Sequence, residues 1–279
     1  MSDLAAARQS AYAGDCPTGS AMLRNFNESY LFFIGVIVLL GVIELCFRLG
    51  RKQRKPADEA HKTHISALQT ALLGLLALLL GFTFAMSVTR FEARKNLVLE
   101  EANAIGNAYW RSQLIAPAAR EQVPRLLLEY INAALELHDA ENDTARFDAA
   151  NVTTRRIERQ IRTITAANAD NPPAIATIMF IQAINEMAQV NEKRRVALEN
   201  HVPEPVFYLL FIVSIGAVGF IAYGTGLHAR RRLTSTGLFA ALIALVLTFI
   251  VDIDQPGTGV IQVSQESMER MQKTLESEL

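Results

Sequence analysis

The sequence predicts an all-α polytopic membrane protein: four transmembrane helices in two hairpins, with a helical-bundle domain between them. Three observations carry this. Four apolar runs, Tyr30–Gly50, Ile65–Val88, Val206–Leu227 and Thr234–Val251, stand in two pairs. Each matches the roughly 20 helical residues, at about 1.5 Å rise, that a bilayer core of about 30 Å requires. The stretch between the pairs repeats apolar residues at helical spacing and shows no strand alternation.

Composition narrows the function classes. The chain has 279 residues, 51% hydrophobic and only 20% charged, which is unusual for a soluble protein with runs this long. Its net charge of -1 gives no basic footprint, so nucleic acid is not an expected partner. The expected partners are the lipid bilayer, further copies of the chain and small inorganic ions.

Residues 1–29 read as a polar N-terminal tail. It is followed by an apolar run too long for a signal-peptide core, so that run reads as a permanent helix. The first hairpin spans 30–88. Within its first helix, Glu44 is an intramembrane acid, which marks it as an ion-ring or interface candidate. Arg48, four residues on, offers a structural explanation as a helical ion pair near the interface. The loop Arg51–His64 is basic, as is the second hairpin loop, His228–Arg232. Nine basic residues in and beside these loops (48–62 and 230–232) face seven on the other side: Arg24, Arg90, Arg94, Lys95, Lys193, Arg194 and Arg195. Short basic loops stay cytoplasmic. The expected placement is therefore the cell (inner) membrane, with hairpin loops in the cytoplasm and the middle domain and both termini outside.

The second membrane helix carries polar and small residues: Ser66, Gln69, Thr70, Gly74, Gly81, Thr83 and Ser87. Close helix packing explains such residues, and a polar pore face is the sharper alternative. On that alternative Gln69, Thr70, Ala77, Phe82 and Phe84 are the pore-lining candidates. Phe82 with Phe84, or Leu78 with Phe82 and Met86, would form an apolar constriction around an axis. No proline interrupts Ile65 to Ala116, so the helix is expected to continue out of the bilayer as one rod. Its outer apolar stripe is Phe91, Val98, Ala102, Ile105 and Tyr109, interrupted by Lys95.

The middle domain, 89–203, is expected to add three helices. One follows Pro117, with Leu127, Ile131, Ala134 and Leu135 on a face. One covers Thr144–Asn168, with Phe147, Ile157, Ile161 and Ile164. One starts at Pro172–Pro173 and carries Ile175, Ile178, Ile181 and Ile184, then turns polar through Asn191–Arg195. Pro203 and Pro205 end it before the second hairpin, 206–251. The C-terminal tail, 252–279, opens with Asp252 and Asp254, has a turn at Pro256–Gly257, a short extended segment Val260–Val263, and a helix Glu266–Ser277. Asp252 and Asp254 mark a helix exit or, in an oligomeric pore, rings that favour cations.

No catalytic, metal-binding or cofactor-binding constellation emerges, and an enzyme is not expected. His61 and His64 lack partners at ligand spacing beyond Asp58 and Glu59. Cys16 and Cys46 lie in unlike surroundings and are not expected to pair. Arg155–Arg159 and Glu100–Glu101 read as solvated helix faces.

Two stretches carry a family resemblance. Leu72–Trp110, above all Glu100, Glu101, Ala102, Asn103, Ile105 and Gly106, resembles the bacterial bestrophin-like family, as does Val251–Met268. The resemblance implies two membrane hairpins around a helical middle domain. It further implies kinship with bestrophins, which are pentameric anion channels with an apolar neck on the second membrane helix, where Phe82 and Phe84 fall. The long acidic run with which bestrophins bind calcium is absent here. Bestrophins keep their soluble part in the cytosol, opposite to the placement that the basic loops favour. The expected function is a homo-oligomeric ion channel with the second helix lining the pore. The runner-up is a membrane-anchored sensing or interaction module that uses the extramembrane bundle without transport.

Overall fold

The computed structural model describes residues 28–53, 59–140, 143–169, 174–227, 233–255 and 260–279. Most of the N-terminal tail and of the two basic hairpin loops, Pro172–Pro173 and the Pro256–Gly257 turn lie outside these residues. Eight helices fill the described part: α1 Glu28–Lys52, α2 Glu59–Ser112, α3 Pro117–Asp139, α4 Thr144–Ala167, α5 Ile175–Glu199, α6 Glu204–Leu227, α7 Leu233–Asp254 and α8 Glu266–Glu278. No strand occurs among the described residues. Segments Phe32–Lys52, Thr63–Ser112, Ile175–Leu227 and Thr234–Asp254 each contain a helix long and apolar enough to cross a membrane.

The expected rod is present. α2 runs 54 residues without a break, about 80 Å at helical rise. It belongs to two cores. Near its start, Leu76 packs with Leu39, Ile43, Leu210, Ala217 and Leu247 of α1, α6 and α7. Farther along, Val98, Ala102, Ile105 and Tyr109, the expected stripe, pack with Leu127, Tyr130, Ile157, Ile161, Phe180 and Met187 of the bundle. The tail contributes to this second core through Val263, Met268 and Leu275. α8 lies across α2 and α3, and Gly106 makes room for the Met271 sulfur.

The two membrane hairpins are unlike: α7 packs back on α6. α1 and α2 keep their backbones apart among the described residues, while each packs closely on α6 and α7. Glycines explain the strong α1–α6 contact. A methyl group on Gly226 would sit 2.5 Å from the Phe47 carbonyl oxygen and 3.0 Å from the Arg51 nitrogen. One on Gly50 would overlap the Tyr223 carbonyl. The two backbones meet directly, as small residues allow in membranes.

The isoleucines of α5 do not share one side. On α5 the structure buries Thr177, Phe180, Ala183, Ile184, Met187, Val190 and Arg194, while Ile175, Ile178 and Ile181 are exposed. The cause is geometric. Residues repeated every three positions slip backwards by about 60° per step on a helix of 3.6 residues per turn. The four isoleucines therefore spread across half the circumference.

Cap chemistry fixes the bundle's loops. The Asp143 carboxylate accepts from Ala145 N (3.1 Å) and Arg146 N (3.2 Å), closing the start of α4. The expected extended segment at Val260–Val263 is irregular and is tied back to α7 by Asp252.

Candidate functional site

α2 has two unlike faces. The packed face carries Ile65, Leu76, Thr83, Ser87, Arg94, Val98, Glu101 and Ile105, all buried. About 180° away, at 100° per residue, lie Gly74, Leu78, Gly81, Ala85, Thr89, Glu92, Asn96, Leu99, Asn103, Asn107 and Trp110, all exposed. This open face runs the helix from its membrane portion to its outer end. Cβ atoms built on Gly74 and Gly81 would meet nothing within 4 Å. Its membrane half is mostly small; its outer half is mostly amide and carboxylate.

The sequence-based pore candidates scatter around this helix. Gln69 turns toward α6, where its Nε2 donates to the Phe220 carbonyl (2.7 Å) beside Gly224. Thr70, whose Oγ1 donates to the Ser66 carbonyl (3.1 Å), shares one flank of the open face with Ala77 and Phe84. Phe82 lies on the other flank. Phe82 is 67% exposed and Phe84 43%, but two positions differ by about 200° around a helix. They do not point at one axis together.

The acids also have places. Glu44 is half-buried and pairs with Arg48, Oε1 to Nε 2.7 Å. Asp252 and Asp254 are buried and committed to backbone amides of this chain. Asp252 accepts from Val260 N (2.8 Å) and Ile261 N (3.3 Å). Both carboxylate oxygens of Asp254 lie 3.0 Å from Val202 N.

Arg94 joins these segments to α2. Its guanidinium donates to the carbonyls of Ala197 (3.1 Å), Asn200 (2.9 Å) and Asp254 (3.0 Å). These oxygens end α5 and α7. One buried cation thus satisfies the open carbonyls of two helix C-termini and complements both helix dipoles. Arg90 adds a bond to the His201 carbonyl (2.9 Å). The junction where α2 leaves the apolar core is therefore bolted to both neighbouring helix ends.

A second buried ion pair lies farther out. Arg194 Nη1 donates to Glu101 Oε2 (2.7 Å), Arg194 Nη2 to Gln265 Oε1 (3.0 Å), and the Tyr130 hydroxyl to Glu101 Oε1 (2.8 Å). Glu101 is not on the solvated face expected from the sequence; it is fully buried. Arriving α5 and α8 segments enclose it. Burial, followed by the Glu101 charge, pushes the Tyr130 hydroxyl well above its ordinary value. Burial likewise raises the carboxyl of nearby Glu158, against the pull of an Asn191 hydrogen bond (3.3 Å).

The sequence reading missed Arg94, Glu101 and Arg194 as structural centres. A signal existed. Ser87, Arg94, Val98, Glu101 and Ile105 fall on one helical stripe, and Met187, Val190 and Arg194 continue the buried face of α5. Among the described residues, no group of three or more His, Cys, Asp and Glu side chains is placed to hold a metal ion.

Four apolar spans, one of them continuous with an extramembrane bundle, define a polytopic helical membrane protein. The chain belongs to the Bestrophin-like domain family, whose sequence model matches residues 35–268. Solved structures agree on the fold. A variant of a bacterial bestrophin homologue from Klebsiella pneumoniae superposes with a TM-score of 0.64 at 14% identity, over 88% of this chain and 97% of that one. A structure of the Klebsiella homologue phased on zinc gives 0.62 at 16% identity, over 89% and 97%. A comparison with curated proteins finds no match.

Proposed function

We propose that this protein is a homo-oligomeric ion channel of the cell membrane in which the open face of α2 lines the conduction path. The carrying observation is that face itself: continuous, small in its membrane half and polar beyond. Gly74, Leu78, Gly81 and Ala85 replace Gln69, Thr70, Ala77, Phe82 and Phe84 as the proposed membrane lining, with Phe82 and Phe84 on its shoulders. Kinship with the bestrophins, a family of channels, supports the same reading. Leu114, Ile175 and Ile178 leave exposed apolar area on the bundle, which suits contact with further copies. Among the described residues Glu92 is the one charged residue on the open face, so an oligomer would present a carboxylate ring that favours small cations. Asp252 and Asp254 act as internal caps rather than as ion rings.

The orientation proposed is the one the basic loops favour, with loops cytoplasmic and the bundle and termini outside. Labelling of Cys16 by a membrane-impermeant maleimide on intact spheroplasts supports it; labelling only after lysis reverses it.

The functional test is cation flux through liposomes containing the purified protein, with its size measured in detergent. An oligomer that conducts, and that loses flux in Gly81→Leu, supports the channel. A monomer in tight vesicles overturns it in favour of a membrane-anchored interaction module.

A further inference from the structure

We infer that a groove between α3 and α4, away from the α2 face, binds a soluble organic phosphate. The groove is open to solvent, has a volume of about 640 Å³ and is lined by Gln122, Arg125, Leu126, Arg156, Arg159 and Gln160, with Thr163 and Ile164. Its volume lies within the range of small-molecule sites.

The charge pattern selects an anion. Three arginines converge on the groove, and no carboxylate lines it among the described residues. The ion pairs of α4 use Arg146 and Arg155 instead. Arg156 and Arg159 stand three residues apart on one helix, a spacing at which like charges repel. An exposed arginine usually lies along the surface with its head in water. Three of them around one concavity whose lining holds no carboxylate instead form a positive site that an anion would neutralise. Guanidinium groups bind phosphate oxygens in paired hydrogen bonds, which ammonium groups do not match.

Two further features narrow the class. Leu126 and Ile164 give the groove an apolar surface, while Gln122, Gln160 and Thr163 supply neutral donors and acceptors. That combination suits an organic body bearing phosphates more than a bare inorganic ion. The position then separates a soluble ligand from a lipid headgroup. α2 extends from Ser87 to Ser112 beyond the apolar span, about 37 Å. α3 starts from that outer end, so Gln122 and Arg125 lie in its first turns, and Arg156–Ile164 occupy the outer half of α4. The groove therefore sits on the order of 25 Å from the apolar span. The headgroup layer of the protein's own bilayer adds only about 5–8 Å to each side of the hydrocarbon core.

The test uses the full chain in nanodiscs of neutral lipid, with adenosine triphosphate as probe and tripolyphosphate as competitor, measured by titration calorimetry. Saturable nucleotide binding is expected, displaced by tripolyphosphate. Arg156→Gln with Arg159→Gln, and separately Arg125→Gln, should weaken it about tenfold or more, with oligomer size and helix content unchanged. Arg162→Gln, on the same helix but outside the groove, should bind as the unaltered chain does. Absence of saturable binding at millimolar probe overturns the inference, as does equal affinity in the folded double variant. Nanodiscs with anionic lipid should leave the affinity unchanged; competition by that lipid would reassign the groove to headgroups and also overturn it. Conduction is not part of the readout, so failure here leaves the channel proposal untouched.

Discussion

The open faces of α1 and α2 are both exposed and both lie on helices long enough to span a bilayer, yet they differ in kind. α1 presents Phe33, Ile37, Leu40, Leu45 and Leu49 around one exposed glycine, Gly41, a face dominated by large side chains that suits lipid tails. α2 presents Gly74, Gly81 and Ala85 around Leu78, then Glu92, Asn96, Asn103 and Asn107. Small residues at exposed membrane positions suit a packing partner or a pore more than lipid, and the polar continuation lies beyond the apolar span. Hydropathy identifies a span; the composition of its unpartnered face identifies what the span is meant to meet.

The largest effect is expected where α2 is anchored. Arg194→Met leaves Glu101 buried without its cation and should cost about 3–5 kcal/mol, read as loss of folded protein in detergent. The paired change Glu101→Gln with Arg194→Met should cost much less, because no orphan charge remains. Equal losses would show that packing, not charge pairing, holds this part of the rod.

Next comes the α1–α6 crossing. Gly226→Val drives a branched side chain into the Phe47 carbonyl, and overpacking of this kind costs about 1–3 kcal/mol or more. Gly81→Val on the open face of α2 meets no such neighbour and should leave the thermal transition in place. If both melt alike, the open face is not open in the assembled protein's monomer fold.

A third change sharpens the contrast in function. Glu92→Lys should shift reversal potentials away from cations toward anions without changing oligomer size, since it replaces a ring of acids by a ring of bases. Glu100→Lys, off the stripe, should shift them less.

The smallest effect concerns pH. Glu158 has its carboxyl raised above the 4.5 of an unperturbed glutamate by burial. The folded state then holds this proton more tightly than the unfolded chain. Its contribution is favourable below the unfolded value and is lost as pH rises through the folded value. Glu158→Gln should therefore gain stability relative to the unaltered chain at neutral pH and lose that advantage in acid, in denaturant titrations at both pH values. Glu101, Arg155 and Arg162 surround the site and should stay as they are in that comparison.

Much of the fold was legible in the sequence because it rests on local quantities. Run length and hydropathy mark the four spans, and the absence of proline marks the α2 rod. The stripe from Val98 to Tyr109 follows helical spacing closely enough to be read directly. The α5 face was not, because isoleucines at intervals of three precess around the helix while Phe180, Met187 and Val190 hold the buried side. Nor was the separation of α1 from α2, which depends on Gly50 meeting Gly226 far along the chain. Arg94, Glu101 and Arg194 looked like surface charges because their partners are distant backbone carbonyls and each other. In the candidate site, the glycines and polar residues that single out α2 are local and legible in the sequence. Which side of that helix stays exposed was not legible, since it depends on packing by α6, α7 and the bundle.

The most direct measurement of the central claim is thiol-reagent block of flux in liposomes, with Cys16→Ser and Cys46→Ser as background. Ala85→Cys places a thiol on the open face of α2, and Ile37→Cys places one on the exposed face of α1. A charged methanethiosulfonate reagent should abolish cation flux through the first and leave the second unchanged. Equal insensitivity of both, in vesicles that conduct, would contradict the assignment of the conduction path to α2.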